Sequence, residues 1–172
     1  PQAAIPDSST SRGLGDVYKR QICGSATVNG FRRRQPYTFC PINTAWGIDN
    51  RTVGIRIIQG SDSATRVEKR DAGADCNPYL LMATDIAAGL DGLEGKIEPD
   101  EMTTGNAYES EVASPIPTDL RDAIELARNS DWLKNVIGTD LYEIALQQSE
   151  RELDFFNQQV TPFELERYRD VF

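Results

Sequence analysis

Histidine is absent from all 172 residues. That removes every mechanism needing an imidazole base, including Ser-His-Asp and Cys-His nucleophile chemistry. Cysteine is scarce: Cys23, Cys40 and Cys76 stand far apart with no CxxC spacing. Neither a disulfide framework nor a structural zinc site is therefore expected. No apolar run approaches the length of a membrane span, and no charged-then-apolar leader opens the chain. A cytoplasmic location with no membrane partner is the expectation. Familiar phosphate loops are missing as well. Gly95-Lys96 is followed by Ile97, and Leu90 stands where a Walker loop needs its first glycine; Gly13-Leu14-Gly15 has Tyr18 in the third glycine's place. A nucleotide site here would have to be built from arginines and a metal ion.

What is present is unevenly charged. The net charge is −9. Residues 31–70 hold eight basic and three acidic residues, a balance of +5, whereas residues 71–172 hold seven and twenty-two, a balance of −15. A cationic segment inside an acidic protein implies a local anionic ligand. It argues against nucleic acid, which needs a broader basic face.

The opening decamer PQAAIPDSST has neither helical nor strand period. Ser11 to Gln21 (SRGLGDVYKRQ) resembles the translation of an adapter used in DNA library preparation. Residues 1–21 are therefore expected to be a non-native leader, with a disordered natural tail as the alternative, and no function is assigned before Ile22.

From residue 22 to 172 the pattern is strands first and helices after, which predicts an α+β fold: antiparallel strands followed by a C-terminal helical region. Asn50 to Ile58 is rich in β-branched residues, and Thr65 to Asp71 follows at hairpin distance. Asn77-Pro78 suits an N-cap and first turn, opening a helix that is apolar nearly all round and so expected to be buried. Residues 98–117 read as a surface loop. Helices are expected over Asp119 to Ser130, Asp131 to Ile137 and Thr139 to Val160, the last burying Leu141, Ile144, Ala145, Leu153 and Phe156. Thr161-Pro162-Phe163-Glu164 is a capping box that opens a final short helix.

Side chains alternate along a strand, so Arg66, Glu68 and Arg70 should share a face, with Arg56 presented by the preceding strand and Arg51 at that strand's start. Arg32, Arg33 and Arg34 lie just upstream. Guanidinium groups crowded around one carboxylate repel one another unless they are solvated or surround a polyanion. Arginine's planar fork suits phosphate and carboxylate oxygens. A lone glutamate among arginines suits Mg²⁺ that also carries phosphates. A solvated, salt-bridged strand face would explain the same residues.

Four ordered motifs decide between these readings: ATVNGFRRRQP, WGIDNRTVGIRI, SATRVEKRDAGADCNPYL and AAGLDGLEGKIEP. In order and spacing they resemble the C-terminal half of glutamine synthetases, strongly over Ser25 to Pro99 and weakly onward to TPFELERYRDVF. The resemblance implies an ATP-dependent, Mg²⁺- or Mn²⁺-using ligase that phosphorylates the γ-carboxylate of glutamate and then transfers the γ-glutamyl group to ammonia or an organic amine. By position, Arg33 resembles the arginine that holds the glutamate carboxylate, and Arg51 the one contacting the phosphoryl group in transfer. Arg56, with Arg66 as a companion, resembles an ATP-phosphate contact. Glu68 resembles a metal ligand, and Arg70 the arginine on the glutamate side chain. Tyr108 aligns near a tyrosine that some bacterial members adenylylate, but its surroundings differ, and an exposed loop tyrosine is expected.

Two positions depart from the family pattern. Where many members carry a flap glutamate, the stretch Pro36 to Pro41 has Phe39, which implies an organic amine rather than ammonium as acceptor. A lysine near the nucleotide in some members aligns with Ser63. The family's other metal ligands, and an N-terminal domain that completes the site from a neighbouring subunit, lie upstream of the matched motifs. The resemblance thus implies a homo-oligomeric parent and an inactive fragment. The alternative is a catalytically inactive relative with a regulatory or assembly role.

Overall fold

The computed structural model describes residues 19–111 and 113–171. It is α+β, with seven helices and three strands among those residues. Two short helices come first, α1 (Gln21–Gly24) and α2 (Val28–Arg32), and neither was expected from the sequence. α2 starts because the Thr27 side chain accepts from the Gly30 amide, while Asp75 Oδ2 accepts from the amides of Ala26 and Thr27 and from both neighbouring hydroxyls. Those bonds outweigh the burial that opposes ionisation and hold the Asp75 carboxyl below its usual range.

Strands β1 (Trp46–Ile48), β2 (Ile55–Ile58) and β3 (Arg66–Lys69) form one sheet in that order. β2 and β3 are antiparallel, with Arg56 opposite Glu68 and Ile57 opposite Val67. The strands are shorter than Asn50 to Ile58 and Thr65 to Asp71 suggested. The two strands expected from the sequence pair antiparallel as expected, and β1, which was not expected, adds to β2 in parallel. Only residues 49–54 join them, in place of the dozen or more that a parallel crossover usually needs. The turn closes because Asn50 Oδ1 accepts from the amide and hydroxyl of Thr52, and Gly54 lies flat against the Asn43 carbonyl; a Cβ there would sit 2.8 Å from that oxygen.

Helix α3 (Pro78–Glu94) begins at its expected N-cap, Asn77. It is not buried as expected. Only Thr84 and Ala88 are buried, with Leu80 packed partly against the core, while Tyr79, Met82, Ile86, Leu90 and Leu93 form one exposed apolar stripe. No described element lies over that face, so an apolar perimeter alone could not bury it. Helices α4 (Leu120–Arg128), α5 (Asp131–Ile137), α6 (Thr139–Asn157) and α7 (Pro162–Tyr168) follow the sequence expectation closely, including the capping box at Thr161 and Glu164.

The main core packs Ile22, Cys23 and Phe31 from α1 and α2 against Leu120, Ile124, Leu133, Ile137, Tyr142 and Leu146. The buried face of α6 is Tyr142, Leu146 and Ser149, with Ala145 and Leu153 packed beside it; Leu141 and Ile144 face outward. The helix is thus turned by about one position from the face read in the sequence. Tyr142 decides this, because its hydroxyl donates to the carbonyls of Ala127 and Arg128 at the end of α4. Among the described residues no helix is long and apolar enough to cross a membrane.

Candidate functional site

The sheet face carrying Arg56 and Glu68 is where the predicted residues meet. Cross-strand pairing brings Arg56 Nη1 within 3.7 Å of Glu68 Oε2. Two residues along the chain and on the same face, Arg70 Nη1 donates to Glu68 Oε1 at 2.5 Å. Arg56 also pairs with Asp49, 3.0 Å away in the turn after β1. The bond from Arg70 lowers the Glu68 pKa; partial burial opposes the shift, and the charges of Arg70, Arg56 and Arg66 reinforce it. Glu68 is therefore an ionised carboxylate with both oxygens turned towards guanidiniums and about a third of its side chain open to solvent.

Arg70 is the connector. Its second terminal nitrogen donates to the Phe39 carbonyl at 2.9 Å, pinning the loop between α2 and β1 to the sheet. In that loop Tyr37 has φ 66 and Phe39 φ 59. Each non-glycine residue in the left-handed region costs roughly 1–2 kcal/mol, so the loop needs anchors. Thr38 supplies one, its hydroxyl donating to the carbonyls of Arg33 and Gln35. Tyr108 supplies another, donating to the Cys40 carbonyl at 3.1 Å while its ring meets Tyr37 at 5.5 Å. Tyr108 is half-buried in a 3-10 turn (Ala107–Glu109), not a free loop residue, and burial raises its pKa. Burial likewise raises the Cys40 thiol, partly offset by Arg33 and Arg34, so Cys40 is no nucleophile.

The three consecutive arginines separate. Arg32 is exposed and lies over the Phe156 ring at 4.7 Å. Arg33, half-buried, donates from Nε to Gly30 and from Nη2 to the Asp71 carbonyl at 2.7 Å. Since Asp71 follows Arg70, Arg33 is tied to the chain beside the cluster and flanks the same loop. Arg34 is buried, donates to the carbonyls of Pro117 (2.8 Å) and Asp71 (3.0 Å), and stacks on Phe31.

Two predicted residues are less engaged. Arg51 is exposed in the turn before β2 and makes no hydrogen bond or ion pair among the described residues. Arg66 is exposed, donates only to the Ala64 carbonyl, and reaches Glu68 through its field alone. Ser63 lies in the exposed turn between β2 and β3. The structure therefore joins Arg56, Glu68 and Arg70 directly, with Arg33 linked through Asp71 and the loop.

Sequence reading missed Asp71 and Asp75. Asp71 is buried and pairs with Lys69 at 3.0 Å, on the opposite sheet face from Glu68. Gln21 Nε2 donates to it at 2.7 Å, and Arg20, also buried, lies 3.5 Å away. Residues 20 and 21, read as leader, are thus in contact with the fold; residues 1–18 of that leader lie outside the described residues. The one available signal was spacing: Asp71 and Asp75 bracket the glycine of DAGAD, the bend that leads from β3 towards α3.

No set of three or more His, Cys, Asp or Glu among the described residues could cage a metal. A single ionised carboxylate between guanidiniums has the chemistry of an ion pair, and equally of one oxygen ligand to a cation whose other ligands come from phosphates and other residues.

The family profile for the glutamine synthetase catalytic domain matches residues 18–168. The chain belongs to the glutamine synthetase family. Among its relatives, a gamma-glutamylethanolamide synthetase of Streptomyces coelicolor is 41% identical over 167 residues, covering 90% of this chain and 36% of the relative. A glutamate–isopropylamine ligase of a Pseudomonas species is 36% identical, covering 84% and 32%, and a glutamine synthetase of Thermotoga maritima is 33% identical, covering 83% and 34%. The chain spans about a third of the length of these curated relatives. Of the solved structures, GmaS in complex with ADP superposes with a TM-score of 0.79 at 24% identity, covering 99% of this chain and 42% of that one. This likeness establishes the fold.

Proposed function

We propose that the chain is the C-terminal part of an ATP-dependent glutamate–amine ligase whose acceptor is an organic amine. The carrying observation is the Arg56–Glu68–Arg70 cluster, bonded through Arg70 to the loop that presents Phe39. Transfer of the γ-phosphoryl group of ATP to the glutamate γ-carboxylate brings two anions together, and fixed positive charge offsets that repulsion. In this reading Arg33 and Arg70 hold glutamate and its phosphorylated form. Arg51, Arg56 and Arg66 contact the nucleotide phosphates, with Arg51 on the group in transfer. Its freedom from partners among the described residues suits a side chain that closes on phosphate. Glu68 would hold Mg²⁺ or Mn²⁺, which would neutralise phosphate charge when bound. In the second step the amine nitrogen bonds to the γ-carbon, phosphate leaves, and the nitrogen loses a proton.

Phe39 is 61% exposed beside this cluster. It offers an incoming amine no charge, but it can pack against carbon, which disfavours ammonium. The other carboxylates that a two-metal site requires would come from the upstream two-thirds that the relatives possess and from a neighbouring subunit of a homo-oligomer. The 172 residues alone would then be inactive.

The test is amine-dependent phosphate release by the full-length protein. Small alkylamines should be used far better than ammonium, and Glu68→Ala should abolish metal-dependent turnover. Efficient turnover of ammonium alone refutes the acceptor assignment; turnover that survives Glu68→Ala refutes the role of Glu68.

A further inference from the structure

We propose that Asp71 is a positioning residue: its carbonyl fixes Arg33 in the pose that receives glutamate, and Lys69, on the back of the sheet, holds Asp71 in place. This deepens the amine-ligase reading and rests on it, because that reading gives Arg33 its substrate.

Alternation along β3 divides the run RVEKRD between two faces. Glu68 and Arg70 face the cluster, whereas Lys69 and Asp71 lie behind it. There Lys69 Nζ lies 3.0 Å from Asp71 Oδ1 and 2.6 Å from Asp85 Oδ1, so one ammonium ties the end of β3 to α3. Asp71 is 2% exposed. A buried ion pair gains little over well-packed apolar side chains, because desolvation offsets the attraction. What it does supply is a penalty for displacement: turning Asp71 would leave a buried carboxylate away from its cation.

The carbonyl of the same residue aims Arg33. It accepts from Arg33 Nη2 at 2.7 Å and from Arg34 Nη2 at 3.0 Å, which occupies both of its lone pairs. Arg34 is the rigid partner, buried, bonded also to Pro117 and stacked on Phe31. Arg33 takes the other lone pair and donates from Nε to the Gly30 carbonyl. Two of its five N–H donors thus fix the guanidinium plane, and the other three have no partner among the described residues. A carboxylate bound by the arginine fork uses two. The arginines assigned to nucleotide phosphates have no bond to Asp71: Arg56 pairs with Asp49 and Glu68, Arg66 donates to Ala64, and Arg51 stands in the turn before β2. Loosening Asp71 should therefore disturb glutamate binding and spare ATP binding.

The experiment measures amine-dependent phosphate release by the full-length protein, titrating glutamate and ATP separately. Asp71→Asn, which keeps the size and removes the charge, should raise the KM for glutamate by about tenfold, less than the roughly hundredfold that a small misplacement can cost. The KM for ATP should stay within about twofold of the parent. Lys69→Met should move the glutamate KM in the same direction, and Lys69→Arg, which restores a cation, should recover it. Asp85→Asn is the control for stability alone: it should shift the urea midpoint and leave both KM values within about twofold. If Asp71→Asn does not fold, the two Lys69 variants decide. A glutamate KM unmoved by Asp71→Asn or by Lys69→Met overturns the positioning role, as does an equal rise in both KM values or a loss confined to kcat; each leaves the ligase standing. A parent without glutamate-dependent phosphate release overturns the ligase reading and the proposal with it.

Discussion

Arg33 and Arg34 are adjacent and chemically identical and both donate to the Asp71 carbonyl, yet Arg34 is buried and Arg33 only half-buried, so replacing each with methionine is an informative perturbation. Arg34 is cationic although burial pulls its pKa down to about 10, a cost on the order of 3 kcal/mol. Against this stand two charge-assisted bonds, to Pro117 and Asp71, worth roughly 1.5–3 kcal/mol each. Its guanidinium also lies 4.5 Å above the Phe31 ring, worth up to about 2 kcal/mol where water is excluded. The gains offset the cost and exceed it by up to roughly 5 kcal/mol. Methionine, similar in length and apolar, removes the cost and the bonds together, and leaves the Pro117 carbonyl without this donor. Arg34→Met should therefore destabilise by about 2–3 kcal/mol, and Arg34→Ala by about 3–5 kcal/mol because a cavity is added. Arg33→Met should cost only about 1 kcal/mol, since Arg33 is half-buried and the Asp71 carbonyl keeps Arg34 as a donor. Under the proposed function, Arg33→Met in the full-length protein should instead raise the KM for glutamate. Urea denaturation of the two variants separates these roles. A loss below about 1 kcal/mol for Arg34→Met, or equal losses at both positions, would refute the division.

Asp85 gives a pH prediction. Lys69 and Arg20 both lie 2.6 Å from it, yet its pKa is raised to about 6: burial is the largest cause and the neighbouring Asp71 adds to it, together outweighing Arg20. A raised acid contributes stability that is present below its unfolded value near 4 and is lost as pH rises through about 6. Asp85→Asn should thus gain on the parent between pH 4 and pH 7, by about 1–2 kcal/mol after allowance for partial solvation, as urea midpoints measured across that range would report. A pH-independent difference between the two proteins would contradict it. Gly54→Ala should destabilise by roughly 1–3 kcal/mol, because its methyl would sit 2.8 Å from the Asn43 carbonyl and force the β1–β2 turn apart. A melting temperature unchanged by that substitution would show that the turn yields freely.

The helices of the C-terminal half were legible in the sequence because their signals are local. Asn77 and Thr161 cap their helices through their own side chains, and Asp119 and Ser130 do the same for α4 and α5. Alternation along a strand likewise determined that Arg66, Glu68 and Arg70 share a face. Which groups meet across that face was not local. Placing Arg56 opposite Glu68 required the register of β2 against β3, and the parallel pairing of β1 required a turn too short to anticipate. The Arg70 bond to Phe39 spans 31 residues and the Tyr108 bond to Cys40 spans 68. No sequence period encodes such distances, so only the tertiary structure turned a candidate flap residue into an aromatic patch tied to the arginine cluster. The exposed stripe of α3 makes the same point from the other side. Composition determined that the helix is apolar, but burial depends on what packs against it, and no neighbour among the described residues covers that face.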